Sequence, residues 1–102
     1  MSDPRILAIM GSGETAPTMA KVHRALFARF GDGPAPATVI DTPYGFQENA
    51  DEISGRIVDY FRQDVGRTLT VASYRRREIP PLDAATALGR IRAARYVLAG
   101  PG

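Results

Sequence analysis

Residues Arg5 to Thr18 read RILAIMGSGETAPT, and this stretch decides the fold. The apolar run from Ile6 to Met10 empties into Gly11-Ser12-Gly13-Glu14-Thr15, and helical periodicity follows. An unbroken apolar run has no wet face, so it reads as a parallel strand buried on both sides. The glycines then make a tight turn from strand to helix. Open α/β sheets bind their ligands outside the carboxyl ends of their strands. Whatever chemistry belongs to this chain is therefore expected around this turn.

The same alternation of strand and helix runs outward from it. The first strand spans Arg5 to Met10. A first helix is expected from about Pro17 to Phe30, capped by Thr15, with Met19, Val22, Leu26 and Phe30 on its inner face. Gly31-Asp32-Gly33-Pro34 stops it. A second strand, Ala37 to Asp41, leads through Thr42-Pro43-Tyr44-Gly45-Phe46-Gln47-Glu48 to a helix opened by Asn49 and Glu52, a capping-box spacing. Ile53, Ile57, Tyr60, Phe61 and Val65 make its buried face, and Gly66 ends it. Thr68 to Ser73 is a third strand. Asp83 caps a third helix that reaches Ala93 and buries Ala84, Ala87, Leu88 and Ile91. Tyr96 to Ala99 is a fourth strand, followed by Gly100-Pro101-Gly102.

The order βαβαβαβ implies a three-layer α/β fold of Rossmann or flavodoxin type, a parallel sheet with right-handed crossovers and helices on both faces. The expected strand order is 3-2-1-4. That order leaves the fourth strand as a bare apolar edge, so the fold reads as incomplete and the chain, 1–102, as the N-terminal part of one domain. The missing C-terminal segment, or another chain, is expected to pair with that edge.

Composition narrows the functional classes. With 44% hydrophobic and 24% charged residues among 102, the chain has the make-up of an ordinary globular domain. A net charge of +2, spread as arginines beside acids, does not predict nucleic-acid binding. The chain has no cysteine and a single histidine, His23, so neither disulfides nor a thiolate or histidine-rich metal site is expected. No apolar run approaches the roughly 20 residues of a membrane span, and the first apolar stretch is too short for a secretory leader. A cytoplasmic protein without membrane association follows as the expectation.

The glycine turn admits more than one chemistry. Gly11-x-Gly13-x-x-Ala16 fits the dinucleotide fingerprint, and Asp41 ends the second strand where a ribose-binding acid belongs. Against this, Glu14 puts a carboxylate into the phosphate cradle and Pro17 removes an amide from the helix start. A plain tight turn is the second reading. Acyl transfer is the third, since a glycine loop at a strand end presents backbone N–H groups without a side chain in the way.

Taken together, the strand ending in GSGE, the one ending in DTPYGFQENA and the one ending in LAGPG resemble the serine-hydrolase family of dipeptidase E and cyanophycinase. That family has the class I glutamine amidotransferase-like fold, and the resemblance covers the whole chain as its N-terminal part. Gly11-Ser12-Gly13-Glu14 resembles the family's G-G-G-E-like turn. Gly100-Pro101-Gly102 stands at the start of its G-G-N-T-like loop and departs from it in Pro101. The resemblance implies that Gly100 and Gly102 belong to an oxyanion loop, and that a G-x-S-x-G nucleophile elbow and a histidine lie beyond Gly102. No G-x-S-x-G occurs within the chain, so no catalytic residue is expected in it. The implied activity is serine-dependent hydrolysis of a small peptide or amide, with no cofactor and no metal. A non-catalytic amidotransferase-like binding protein and a nucleotide-binding Rossmann-like domain are the alternatives.

Gly11, Ser12, Gly13, Glu14, Thr42 and Tyr44 are expected to line the pocket. Ser12 reads as a turn residue, and Glu14 either meets a substrate amine or complements the helix dipole. Asp41 and Thr42 either form a turn or face the pocket, which Tyr44, Phe46 and Gln47 shape from above. Arg75-Arg76-Arg77 are read as a solvated loop, with carboxylate recognition as the alternative. His23 is expected on a helix flank, away from the strand ends. Glu52 and Arg56 offer i,i+4 surface pairing beside Asp51, and Asp59, Arg62 and Asp64 a wet helix face.

Overall fold

The computed structural model describes residues 5–10, 16–31, 35–75 and 79–100. Four parallel strands, β1 (Ile6–Ile9), β2 (Ala37–Ile40), β3 (Leu69–Ala72) and β4 (Tyr96–Ala99), alternate with three helices. These are α1 (Met19–Ala28), α2 (Ala50–Tyr60) and α3 (Pro81–Ala93). The α/β class and the βαβαβαβ order are as the sequence reads. The strand order is not. It runs β1-β4-β2-β3, with β4 inserted between β1 and β2.

Burial explains the correction. In β4 the side chains of Tyr96, Val97 and Leu98 are all buried, which needs neighbours on both edges and layers on both faces. In β1 the alternate residues Leu7 and Ile9 are 60% and 76% exposed. The strand with the wetter side chains therefore takes the edge, and the bare apolar strand is β1 rather than β4.

The connections from β1 to β2 to β3 step across the sheet one way, and the one from β3 to β4 steps back. Right-handed crossovers place helices on opposite faces when the direction reverses. Accordingly α1 and α2 share a core with Tyr96, Leu98, Ala37, Val39 and Leu69 on one face. α3 lies on the other, where Ile91 meets a groove lined by Leu7, Ile40 and Val97. Arg5 fastens the end of α3, its guanidinium donating to the carbonyls of Ile91 (3.0 Å) and Ala94 (3.2 Å). Cations at a helix carboxyl end satisfy its spare carbonyls and complement its dipole.

The main core is aromatic. The Phe27 ring stacks on Tyr96 at 4.3 Å between centroids, and Phe61 packs on His23 at 4.7 Å. Burying such a side chain contributes about 1.5–3 kcal/mol. The inner stripe of α1 is Ala20, His23 and Phe27, continued by Phe30 in the following turn, while Val22 is exposed. The true face is thus rotated by one position from the expected Met19-Val22-Leu26-Phe30 stripe. His23 is fully buried rather than on a flank, and its Nδ1 shares a 2.8 Å hydrogen bond with the Tyr96 hydroxyl. Choosing the stripe by apolarity alone discards a histidine whose ring is at home among aromatics once a nitrogen is bonded.

Further departures are local. α2 runs into a π-helical turn, Phe61–Val65, which sets both Phe61 and Val65 inward before Gly66 (φ 77°) stops it as expected. α3 starts at Pro81, its fixed φ suiting the first turn, so Asp83 sits inside the helix rather than capping it. Leu88 is 44% exposed, on the outer side of α3. Thr18, not Thr15, stands at the N-cap position of α1; Thr15 lies outside the described residues.

Burial pushes the Tyr96 hydroxyl up to about 12, and the neighbouring Tyr60 adds to the shift. An unfolded tyrosine ionises near pH 10. This group leaves stability intact below pH 10 and lowers it between pH 10 and 12, by about 2–3 kcal/mol in all. Tyr96→Phe is expected to remove that share of the alkaline loss, while costing about 1 kcal/mol at neutral pH through the missing hydrogen bond. Urea midpoints from pH 8 to 12 measure both; an alkaline slope equal to the parent's would contradict the assignment.

Candidate functional site at the carboxyl edge of the sheet

Because all four strands are parallel and in register, the residues that follow them stand in one row. Ile9, Ala99, Ile40 and Ala72 are cross-strand partners. Met10, Gly100, Asp41 and Ser73 come next, so the first residues after β1, β4, β2 and β3 stand side by side in that order.

Gly100 lies near the middle of this edge. Its φ is 146°, and a Cβ there would stand 2.0 Å from the Met10 carbonyl oxygen. Only a glycine lets the two backbones approach so closely. The Met10 N–H donates to the Ala99 carbonyl at 2.9 Å, closing the end of the β1/β4 ladder. The loop that begins at Gly100 therefore starts against the end of β1.

Between β2 and β3 the edge is filled by a charged network. The Asp41 carboxylate is fully buried. Its Oδ2 accepts from the Ser73 hydroxyl and from Arg75 Nε, both at 2.8 Å, and its Oδ1 accepts from the Tyr74 N–H at 2.7 Å. Arg75 also pairs with the exposed Asp51 at the start of α2. Hydrogen bonds to Asp41 and then to Asp51 raise the pKa of the Arg75 guanidinium and hold it charged. The Thr42 hydroxyl donates to the Tyr74 carbonyl. The network ties the β2 loop to the β3 loop at the point where their chains part, one towards α2 and the other towards α3.

The expected site residues sort accordingly. Gly11, Ser12, Gly13, Glu14 and Gly102 lie outside the described residues, as do Arg76 and Arg77. Gly100 is described and stands beside Met10. Thr42 lies on the rim with its hydroxyl engaged. Tyr44 is buried in the core, its hydroxyl 2.7 Å from Ser54 Oγ, so the structure puts it beneath the rim rather than on it. Phe46 is 80% exposed on the same loop. Arg75 turns inward onto Asp41 instead of standing in a solvated loop, and Asp51 pairs with Arg75. Glu52 and Arg56 form no ion pair among the described residues, whereas Arg62 and Asp59 do, on an exposed face.

Sequence reading missed the Asp41–Ser73–Arg75 network. Its signal was an acid just past one strand and an arginine just past the next, which only the β2/β3 register brings together. Among the described residues no group of acids and histidine is placed to hold a metal, and no helix is long and apolar enough to cross a membrane. Compared with protein-family models, with curated proteins and with solved structures, the chain matches none.

Proposed function

We propose that the chain is the N-terminal part of a serine-dependent peptidase or amide hydrolase of the kind that dipeptidase E and cyanophycinase represent. The reading is supported by the closeness of Gly100 to Met10, the residues that follow β4 and β1. In this proposal the glycine sequences that follow these two strands would supply N–H donors to the developing oxyanion, each worth about 2.7–4 kcal/mol. The nucleophile would come from a strand-to-helix elbow later in the polypeptide, and the substrate would be a small peptide or amide.

The uncovered half of the α3 face supports the same reading. Leu7 and Ile9 present an apolar strip on an edge strand whose other face, Ile6 and Ala8, is partly buried against the core. A right-handed crossover leaving β4 for a strand beside β1 lays its helix over that strip. In this proposal the later part of the domain, or another chain, covers Leu7 and Ile9 and pairs with β1.

The nucleotide-binding alternative asks Asp41 to meet a ribose diol, and a carboxylate with no exposed surface does not. Treating the intact protein with a serine-directed fluorophosphonate is expected to attach one label, on a serine C-terminal to Gly102. An unlabelled protein that remains folded would sink the hydrolase reading in favour of a non-catalytic relative.

A further inference from the structure

The two edges of the sheet are unlike. At β3 the outward carbonyl of Val71 accepts from Arg90, α3 packs against the strand, and the exposed Thr70 is polar. A charged side chain and a covering helix are common means of closing a sheet edge to other strands. From Ile6 to Met10, β1 has neither. Among the described residues nothing pairs with its outer side, and Leu7 and Ile9 are largely exposed beside it.

The hydrogen-bond alternation says which groups this edge offers. The N–H groups of Ile6 and Met10 donate inward, to the carbonyls of Arg95 and Ala99. Backbone groups alternate sides along a strand, so the N–H and C=O of Leu7 and of Ile9 point outward. Both side chains stand on the α3 face, Leu7 against the groove that Ile91 lines and Ile9 two residues further on.

A second copy turned about an axis normal to the sheet brings β1 against β1 in the antiparallel sense, an isologous contact. An axis through Ala8 uses both outward residues. Leu7 then lies opposite the partner's Ile9, and Ile9 opposite the partner's Leu7, each pair exchanging two hydrogen bonds. Ala8 meets the partner's Ala8 and Ile6 the partner's Met10, so every cross-strand pair in the seam is apolar. An axis through Leu7 instead sets Ile9 against the partner's Arg5, a charged side chain committed to the carboxyl end of α3. An axis through Ile9 sets Leu7 against the partner's Gly11, which has no side chain to pack.

We propose that β1 is the pairing edge for a second copy of this chain, joined antiparallel about Ala8 into one sheet continuous across both copies. Of the two occupants that the hydrolase reading allows at this edge, a later strand and another chain, the proposal commits to the second and needs no activity. A seam that runs only from Ile6 to Met10 falls short of the roughly 800 Å² a side of standard stable interfaces, so the dimer is a weak one.

The test is sedimentation equilibrium of the chain, together with cross-linking through single cysteines. A species of twice the 11.0 kDa chain mass is expected. Its dissociation constant should be on the order of 10–100 μM. Ile9→Lys, at an exposed position, is expected to keep the fold. It should weaken association at least about tenfold, because it sets an ammonium against the partner's Leu7. The parent has no cysteine, so a single one bridges only to a second copy. Ala8 and the partner's Ala8 form a non-hydrogen-bonded pair with Cα atoms about 4.5 Å apart, within disulfide reach. Leu7 and the partner's Leu7, like the two Ile9 residues, lie on a diagonal of about 7–8 Å, beyond that reach. Under mild oxidation Ala8→Cys is therefore expected to cross-link faster than Leu7→Cys or Ile9→Cys. A monomer at concentrations up to about 1 mM would overturn the proposal and leave the hydrolase reading, with a later strand at this edge, untouched. So would a dimer indifferent to Ile9→Lys, or cross-linking fastest at Leu7→Cys or Ile9→Cys.

Discussion

Asp41→Asn is expected to destabilise the chain by about 3–5 kcal/mol, the cost of breaking a buried ion pair by removing one partner. Three donors converge on this carboxylate, from Ser73, Tyr74 and Arg75, and none of its surface reaches water. An asparagine keeps the shape but brings one NH₂ group towards the same donors and removes the charge that Arg75 Nε faces. Asp51→Asn is the matched control. It touches the same guanidinium, yet the Asp51 side chain is 91% exposed, and exposed pairs contribute about 0–1 kcal/mol. Urea denaturation of the two variants separates the cases. Equal midpoints for Asp41→Asn and Asp51→Asn would show that the network is not what joins the β2 and β3 loops.

Gly100→Ala carries the second large effect, and its origin is steric. A methyl group 2.0 Å from the Met10 oxygen cannot be absorbed by a rotamer change, because both atoms belong to backbone near the centre of the sheet edge. The φ of 146° adds a conformational penalty of about 1–3 kcal/mol for any residue with a Cβ. With the overpacking cost of about 1–3 kcal/mol, the expected loss is about 3 kcal/mol or greater. In urea this lowers the midpoint by about 1–3 M. A variant within about 0.5 kcal/mol of the parent would mean that β1 and β4 end further apart than described.

Much of the fold was legible because local signals agreed with one another. The unbroken apolar runs at Ile6 to Met10 and Tyr96 to Ala99, separated by helix-period stretches with glycine stops, admit little besides a parallel α/β sheet. Strand adjacency was not legible. The lengths of the connections allow β4 on either side of β1, and only the burial of Tyr96, Val97 and Leu98 against the exposure of Leu7 and Ile9 decides between them. The inner face of α1 was misplaced for a related reason: Val22 and His23 exchange the roles that hydropathy assigns them, because Tyr96 offers His23 a partner from the far end of the chain. In the candidate site, Gly100 could be picked out by its residue type and place after a strand. Asp41 and Arg75 could each be noticed, but their pairing depends on register, which one sequence does not spell out.

The central place of β4 has a consequence for how the molecule assembles. β2 and β3 are joined by a single helix and can pair as soon as that helix forms. β1, by contrast, finds its ladder partner only in the last strand of the described chain. A sheet in which the first and last described strands are neighbours cannot zip up in the order its residues leave the ribosome, and closing so long a loop before any contact rewards it slows folding. Until β4 arrives, the Ile6–Ile9 segment has no ladder to join, and it is as apolar as any stretch in the protein. Among the described strands, β1 thus leaves the ribosome first and waits longest for a ladder partner, an exposed apolar segment in the meantime.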